Sequence, residues 1–358
     1  MWRFQFGFEF VFKMATQSSS LLSSDVEPAT LIKQNINGKD VIYSLITIIG
    51  CVIGTIGNTL VIGALLVHTK LRVRSNVFIG NLAVADLCVS LVISPLNIVG
   101  VFYSNFYFIH YQLCEFIGFI CIISCTASMW NIAAITINRY VAICCNNTLY
   151  HRIYNRKTIP FLVGGIWLLC FCIDLPNFVG WSDHTFNKRA RLCLVDFFMN
   201  YSYTLYFVIC GFVTPMFLVS VCYIRIILFA RRSKQRLRKF CSNSDDSQLT
   251  RIKTTDLRML RSIAITWLVF IIMWTPFCII AIFDPGYWSS SFFAFATAFA
   301  HSNSSVNSII YGATNPNFRE GYVQFLQKIF SCFSCKIPNT NKSQRVVTVS
   351  STGTSNID

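Results

Sequence analysis

Apolar residues run along the chain in seven long blocks, at about Val41–Val67, Asn76–Phe102, Cys114–Tyr140, Ile159–Phe178, Tyr201–Phe229, Leu257–Phe283 and Phe292–Tyr311. The shortest has 20 residues, enough to cross a bilayer as a helix at ~1.5 Å per residue. After the last block, Phe318, Tyr322, Phe325, Leu326, Ile329 and Phe330 fall on one helical stripe, with Arg319, Glu320, Gln324 and Lys328 elsewhere. That spacing predicts a short helix lying on the inner membrane surface. The pattern therefore predicts an all-α membrane protein: a seven-transmembrane helix bundle with a short amphipathic helix after the seventh span. We divide it into an outer tail (1–40), the bundle (41–313), the surface helix (314–331) and an inner tail (332–358). No repeat of 20–50 residues and no long low-complexity linker suggests a second domain.

Composition agrees, with 54% hydrophobic and only 13% charged residues among 358 and a mean hydropathy of +0.54, values typical of membrane proteins. Orientation follows from the cations. With the amino terminus outside, only Arg3, Lys13, Lys33, Lys39, Lys188, Arg189 and Arg191 of the 30 Lys and Arg lie on the outer side, as the positive-inside rule requires. A net charge of +15 in a soluble protein would favour nucleic acid. Here the basic residues flank spans, so anionic lipid and the acidic surface of a cytoplasmic partner are the expected attractors, and nucleic acid is not. Glu9 interrupts the apolar amino-terminal segment, which therefore reads poorly as a signal peptide. Met14-Ala-Thr resembles an ordinary start, and residues 1–13 are expected to be an alternative or misassigned one. On the outer side, Asn200-Tyr201-Ser202 is the one glycosylation sequon.

Polar groups inside the spans carry the candidate chemistry. Asp86 lies about ten residues into the second block, where an ionised carboxylate costs several kcal/mol unless paired, hydrated or protonated. Ser128 reaches a comparable depth in the third block, and Asn303, Ser304 and Asn307 place oxygens on one side of the seventh. The third block ends in Asn138-Arg139-Tyr140, whose cation can reach the interface. Pro215 and Tyr223 mark the fifth block, and the sixth holds Phe270-Ile-Ile-Met-Trp274-Thr-Pro276. Pro276 removes a backbone hydrogen bond, so a kink is expected beside Trp274, with its ring at the base of an outer cavity. Most of the 16 cysteines lie within blocks, where a thiol packs as a small apolar group. Cys114 and Cys193 instead belong to the oxidising outer side.

Asn138-Arg139-Tyr140, Phe270-x-x-x-Trp274-x-Pro276 and Asn307-Ser308-Ile309-Ile310-Tyr311 together resemble a rhodopsin-like G-protein-coupled receptor over roughly residues 41–335. The resemblance implies a disulfide between Cys114 and Cys193, the alternative being two free thiols. It implies a sodium pocket at Asp86, Ser128, Asn303, Ser304 and Asn307, the alternative being a hydrated hydrogen-bond network. It also implies a switch through Phe270, Trp274 and Pro276, and a heterotrimeric G-protein cleft at Arg139, Tyr140, Tyr223 and Tyr311. Arrestin is implied as a second inner partner, an allosteric sodium ion takes the place of any cofactor, and the location is the plasma membrane. Asn138 replaces the usual aspartate of that motif, so inactive-state restraint is expected from Arg139 with Asp256. Ser308 replaces the usual proline, so a milder kink is expected in the seventh span. Cys332 and Cys335 are candidates for palmitoylation.

Three segments narrow the resemblance to melatonin receptors: Trp130–Tyr140, Pro176-Asn177 and Val306–Tyr322. That likeness favours an inhibitory G protein. Asn177 matches the family's methoxy-binding asparagine, whereas Val195, Phe197, Gly211 and Cys278 depart from the outer-loop phenylalanine and glutamine, the fifth-span histidine and the sixth-span asparagine. An extracellular ligand that is small and largely apolar, other than melatonin, is expected. Cys121 replaces the aspartate of amine receptors, which removes that charge pair. His301 replaces the opsin lysine, so no retinal Schiff base can form. A charged second outer loop keeps a peptide ligand open. A transporter or membrane enzyme would need charges along a pathway or a metal set. The five histidines are scattered, with no ligand spacing along the chain, and no enzyme is expected.

Overall fold

The structure is a computed structural model and describes residues 31–33, 35–103, 105–197, 199–240, 247–283 and 289–334; within these, the side chains of 233–260 and 332–334 are not described. Seven helices form the bundle: α1 (Gly38–Val67), α2 (Arg74–Phe102), α3 (Tyr111–Cys144), α4 (Thr158–Val179, its last turn 3-10), α5 (Tyr201–Val208 and Thr214–Phe240, joined by one π turn), α6 (Ser247–Phe283) and α7 (Ser290–Thr314). The helix α8 (Pro316–Ser334) follows, and a hairpin of β1 (His184–Asn187) and β2 (Leu192–Val195) fills the second outer loop. Among the described residues, α1 to α6 contain segments long and apolar enough to cross a membrane. α7 has 25 residues and matches them in length, but it spends part of its apolar surface on Asn303, Ser304, Ser305, Asn307 and Ser308, all buried.

The centre of the bundle is α3. In its most apolar stretch 78% of residues are buried, against 17% for α1, so α1 shows most of its face to lipid and α3 meets mainly protein. Polar side chains tie α3 to its neighbours. Trp167 Nε1 of α4 donates to Asn81 Oδ1 at 2.9 Å, and Asn81 Nδ2 of α2 donates to Asn131 Oδ1 at 2.9 Å. Each bond satisfies a group that lipid would leave unpaired.

Two π turns, Cys88–Ile93 in α2 and Ile209–Val213 in α5, share one cause. Each is followed by a hydroxyl residue and then a proline, Ser94-Pro95 and Thr214-Pro215. Proline cannot donate to the carbonyl four residues back, and its ring pushes that carbonyl aside. The hydroxyls bond further back: Ser94 Oγ to Val89 O at 3.0 Å and Thr214 Oγ1 to Ile209 O at 2.8 Å. In α6, Thr275 Oγ1 donates to Ile271 O at 2.6 Å just before Pro276. With Ser308 in place of proline, α7 runs unbroken from Ser290 to Thr314. A Cβ at Gly57 of α1 would lie 2.0 Å from Ser308 Oγ, so α1 and α7 touch there through the smallest side chains available.

The hairpin and the short helix Asn147–Ile153 in the second inner loop are elements that periodicity did not mark. Four or seven residues are too few to show a period. The chain before α1 is anchored as well: Ile32 N donates to Asn105 Oδ1 at 2.9 Å and Lys33 bridges to Tyr103. Asn37 and Asp40 form a reciprocal capping box at the start of α1.

Candidate functional site

A cavity lies towards the end of the bundle that carries the Cys114–Cys193 disulfide, the end that the cation distribution reads as outer. Its walls are Cys121, Ile122 and Cys125 of α3, Phe207 of α5, Trp274 and Phe277 of α6, and Thr297, Ala300 and His301 of α7. Leu192 and Leu194 of β2, with Phe197, roof it. Strand alternation explains the roof: Leu192 and Leu194 face the cavity, while Cys193 and Val195 face the other way, where Cys193 is bonded to Cys114. The free volume is about 20 Å³, room for one or two waters. Anything the size of an indole must displace side chains. Trp274 forms the floor, stacked on Phe270 (centroids 5.6 Å, 6°) and against Phe212 of the α5 π turn at 4.7 Å.

Of the eight candidate ligand positions, Cys121, Phe197, Trp274 and His301 meet in this cavity. The other four are placed elsewhere. Asn177 Nδ2 donates to Asp174 Oδ1 at 2.6 Å and to the Tyr203 hydroxyl at 2.7 Å. Val195 is fully buried on the far face of β2. Gly211 lets α5 close on α3, since a Cβ there would meet Thr126 Cγ2 at 3.2 Å. Cys278 is half-buried against the core of the bundle.

Asn177 belongs to a network that the sequence did not reveal. His184 Nε2 of β1 lies 3.2 Å from Asp174 Oδ1, both groups almost wholly buried. The hairpin is thereby bonded to the outer ends of α4 and α5. Its far turn is held too: Asn187 Oδ1 accepts from Arg189 N and Ala190 N at 2.9 Å, and Arg191, at φ 60°, pairs with Asp40 of α1. The signal available was Asp174 itself, an acid inside an apolar block.

Halfway through the bundle, Asp86 has no exposed surface. Ser128 Oγ donates to its Oδ1 and Asn307 Nδ2 to its Oδ2, both at 2.7 Å, so α2, α3 and α7 meet at one carboxyl. Asn58 Nδ2 of α1 donates to Ser304 O at 2.8 Å beside it. Asn303 Oδ1 and Asn307 Oδ1 are buried without a hydrogen-bond partner among the described residues. A carboxyl, a hydroxyl and two orphaned amide oxygens are the hard oxygen donors that suit sodium. The residues present fit that ion.

On the inner side, Arg139 Nη2 donates to Ser75 Oγ at 2.8 Å at the foot of α2. Asn138 is buried beside it. Tyr140 is half-buried against the core, and Tyr223 is half-buried on α5. Tyr311 stacks on Phe318 of α8 at 5.3 Å, and the Tyr322 hydroxyl donates to Ser308 O at 3.0 Å, so α8 is fastened to the end of α7. In the inner loop, burial pushes the Tyr154 phenol up to about 12, with Tyr150 adding to the effect. That hydroxyl stays protonated at physiological pH. The Asp256 side chain lies outside the described residues, as do those of Cys332 and Cys335.

A roofed outer cavity, a buried polar centre and an arginine at the inner end, aligned along one seven-helix bundle, define a membrane receptor. The chain belongs to the rhodopsin family of 7 transmembrane receptors, whose profile matches residues 57–311. It is a G-protein-coupled receptor of the plasma membrane, not an enzyme. Its relatives include the human melatonin receptor type 1B, 32% identical over 82% of this chain and 80% of that one, and the Phodopus sungorus melatonin receptor type 1A, 30% identical over 83% and 84%. The fold matches the crystal structure of squid rhodopsin with a TM-score of 0.72 at 22% identity, over 88% of this chain and 94% of that one. The melatonin-receptor-like reading of the sequence motifs is thus supported over most of the chain.

Replacing His184 with Ala removes one of the two hydrogen-bond partners of the buried Asp174 carboxyl, leaving Asn177. Leaving a buried acceptor short of a partner costs ~1–3 kcal/mol, so thermal unfolding of the solubilised receptor should show destabilisation of about 2 kcal/mol. Melting equal to wild type would mean that the pair carries no net stability.

Proposed function

We propose that a small, largely apolar extracellular ligand enters the cavity above Trp274 and shifts the bundle so that α6 swings outward, opening a cleft at Arg139, Tyr223 and Tyr311 for a G protein of the inhibitory class. The observation that carries this reading is the Trp274 ring, which lines the cavity and stacks on Phe270 one turn nearer the amino-terminal end of α6. The amino terminus faces outward, in keeping with the positive-inside distribution and the Cys114–Cys193 disulfide. Residues 1–40 act as the outer tail, 41–313 as the signalling bundle, and 314–331 as a membrane-surface helix whose exposed Val323, Leu326 and Phe330 suit lipid. Arrestin shares the inner cleft, Asp256 restrains Arg139 in the inactive state, and Cys332 and Cys335 anchor the inner tail when acylated.

Arg139→Ala should abolish G-protein activation while leaving surface expression largely intact, read by G-protein dissociation in cells. Full signalling by that variant would remove the coupling role of Arg139.

Sodium occupies the Asp86 centre in the inactive arrangement, because ion and active state compete for the same oxygens. Raising sodium at constant ionic strength should lower agonist affinity in wild type, and Asp86→Asn should abolish that dependence. Identical responses to potassium and sodium would favour a hydrated network without a specific ion.

Melatonin, named for the relatives, should bind weakly. Four positions that the resemblance assigns to the ligand differ, of which Phe197 lines the cavity, and the Asn177 amide is already engaged by Asp174 and Tyr203. At ~1 kcal/mol for each lost polar or aromatic contact, the four together cost about 4 kcal/mol, nearly a thousandfold in affinity if they add. A melatonin titration of wild type beside Asn177→Ala measures this. Tight binding that depends on Asn177 would show that the ligand recruits that amide.

A further inference from the structure

We propose that Cys121, Cys125 and His301 bind one soft transition-metal ion, zinc(II) by class, at the floor of the outer cavity. Cys121 and Cys125 are four residues apart on α3 and share a helical face. His301 arrives from α7, and one donor atom from each residue lies within 4.8 Å of the others. Cys121 Sγ and His301 Nε2 are 3.5 Å apart. Around a tetrahedral zinc with bonds of about 2.3 Å to sulfur and about 2.0–2.1 Å to nitrogen, the sulfur–nitrogen edge is also about 3.5 Å. The widest separation among the three donors requires a contraction of at most about 1.3 Å, within reach of a side-chain adjustment.

The donor set decides the kind of ion. Both thiols are free and buried, and two thiolates with an imidazole select zinc or copper(I) over sodium, magnesium or calcium. The site is therefore chemically separate from the all-oxygen centre at Asp86. As the ion binds, the two thiols release their protons to solvent and the imidazole binds through neutral nitrogen. Three protein ligands leave a fourth position, and the cavity that all three line has a free volume of about 20 Å³, which admits a water. The His301 ring meets Trp274 edge-on, with centroids 6.5 Å apart. A bound ion would thus fasten α3 to α7 beside the floor of the ligand cavity.

The test uses the purified full-length receptor in detergent, stripped with a chelator and titrated with zinc(II), then with cobalt(II). No ligand or G protein is present, so the outcome is independent of the signalling reading above. Wild type should retain one equivalent of zinc against a competing chelator, and its cobalt form should show the intense near-ultraviolet absorption of thiolate-to-cobalt charge transfer. Cys121→Ser, Cys125→Ser and His301→Ala should each weaken zinc at least about tenfold, with His301→Gln replacing the last should it fail to fold. Cys144→Ser, at the half-buried inner end of α3, should bind as wild type does. Equal zinc affinity in wild type and the Cys121→Ser/Cys125→Ser double variant, or a cobalt form without the thiolate band, would overturn the site and leave a thiol–imidazole hydrogen bond.

Discussion

A carboxyl with no exposed surface in the middle of a membrane bundle must be given partners by protein, because lipid offers none. Asp86 takes them from α3 through Ser128 and from α7 through Asn307. Asn58 extends the contact to α1 through the Ser304 carbonyl. The orientations of four helices are thus fixed by one buried group. The same crossing connects the cavity floor above to Arg139 below, both reached along α3. Two amide oxygens remain without a partner among the described residues, so the centre is satisfied only in part and its energy is open to change by a cation or by movement of a helix.

Helix irregularity in this receptor has a local chemical origin. Pro95, Pro215 and Pro276 each follow a serine or threonine, and each of those hydroxyls donates to a carbonyl four or five residues back, next to the turn that the proline disturbs. The consequences are functional in position. One π turn begins two residues after Asp86, the other brings Phe212 against Trp274, and Pro276 lies two residues beyond that tryptophan. In α7 the serine at 308 keeps the helix regular and lets α1 approach at Gly57.

The roof over the cavity is held at three points that are far apart in sequence. Cys193 is bonded to Cys114 of α3, His184 to Asp174 of α4, and Arg191 pairs with Asp40 of α1. A short hairpin in water is marginal alone. Here its inner face is covered by the cavity walls and its turn is closed by Asn187, so it forms a fixed lid whose Leu192 and Leu194 shape the space beneath.

Hydrophobic run length determined the number of spans, because a bilayer sets the helix length that must be apolar. The Asp86, Arg139 and Trp274 positions were legible for a related reason: a charge or a proline inside such a run is costly and therefore noticeable. Tertiary structure decided what spacing along one chain cannot encode. The short strands lie below any readable period. Whether Asn177 faces a ligand or a neighbouring helix depends on Tyr203 and Asp174, and the alternation that turns Val195 away from the cavity is set by the pairing of β2 with β1. The histidines looked scattered because His301 lies 180 residues from Cys121, and only the packing of α3 against α7 brings the thiols and the imidazole together.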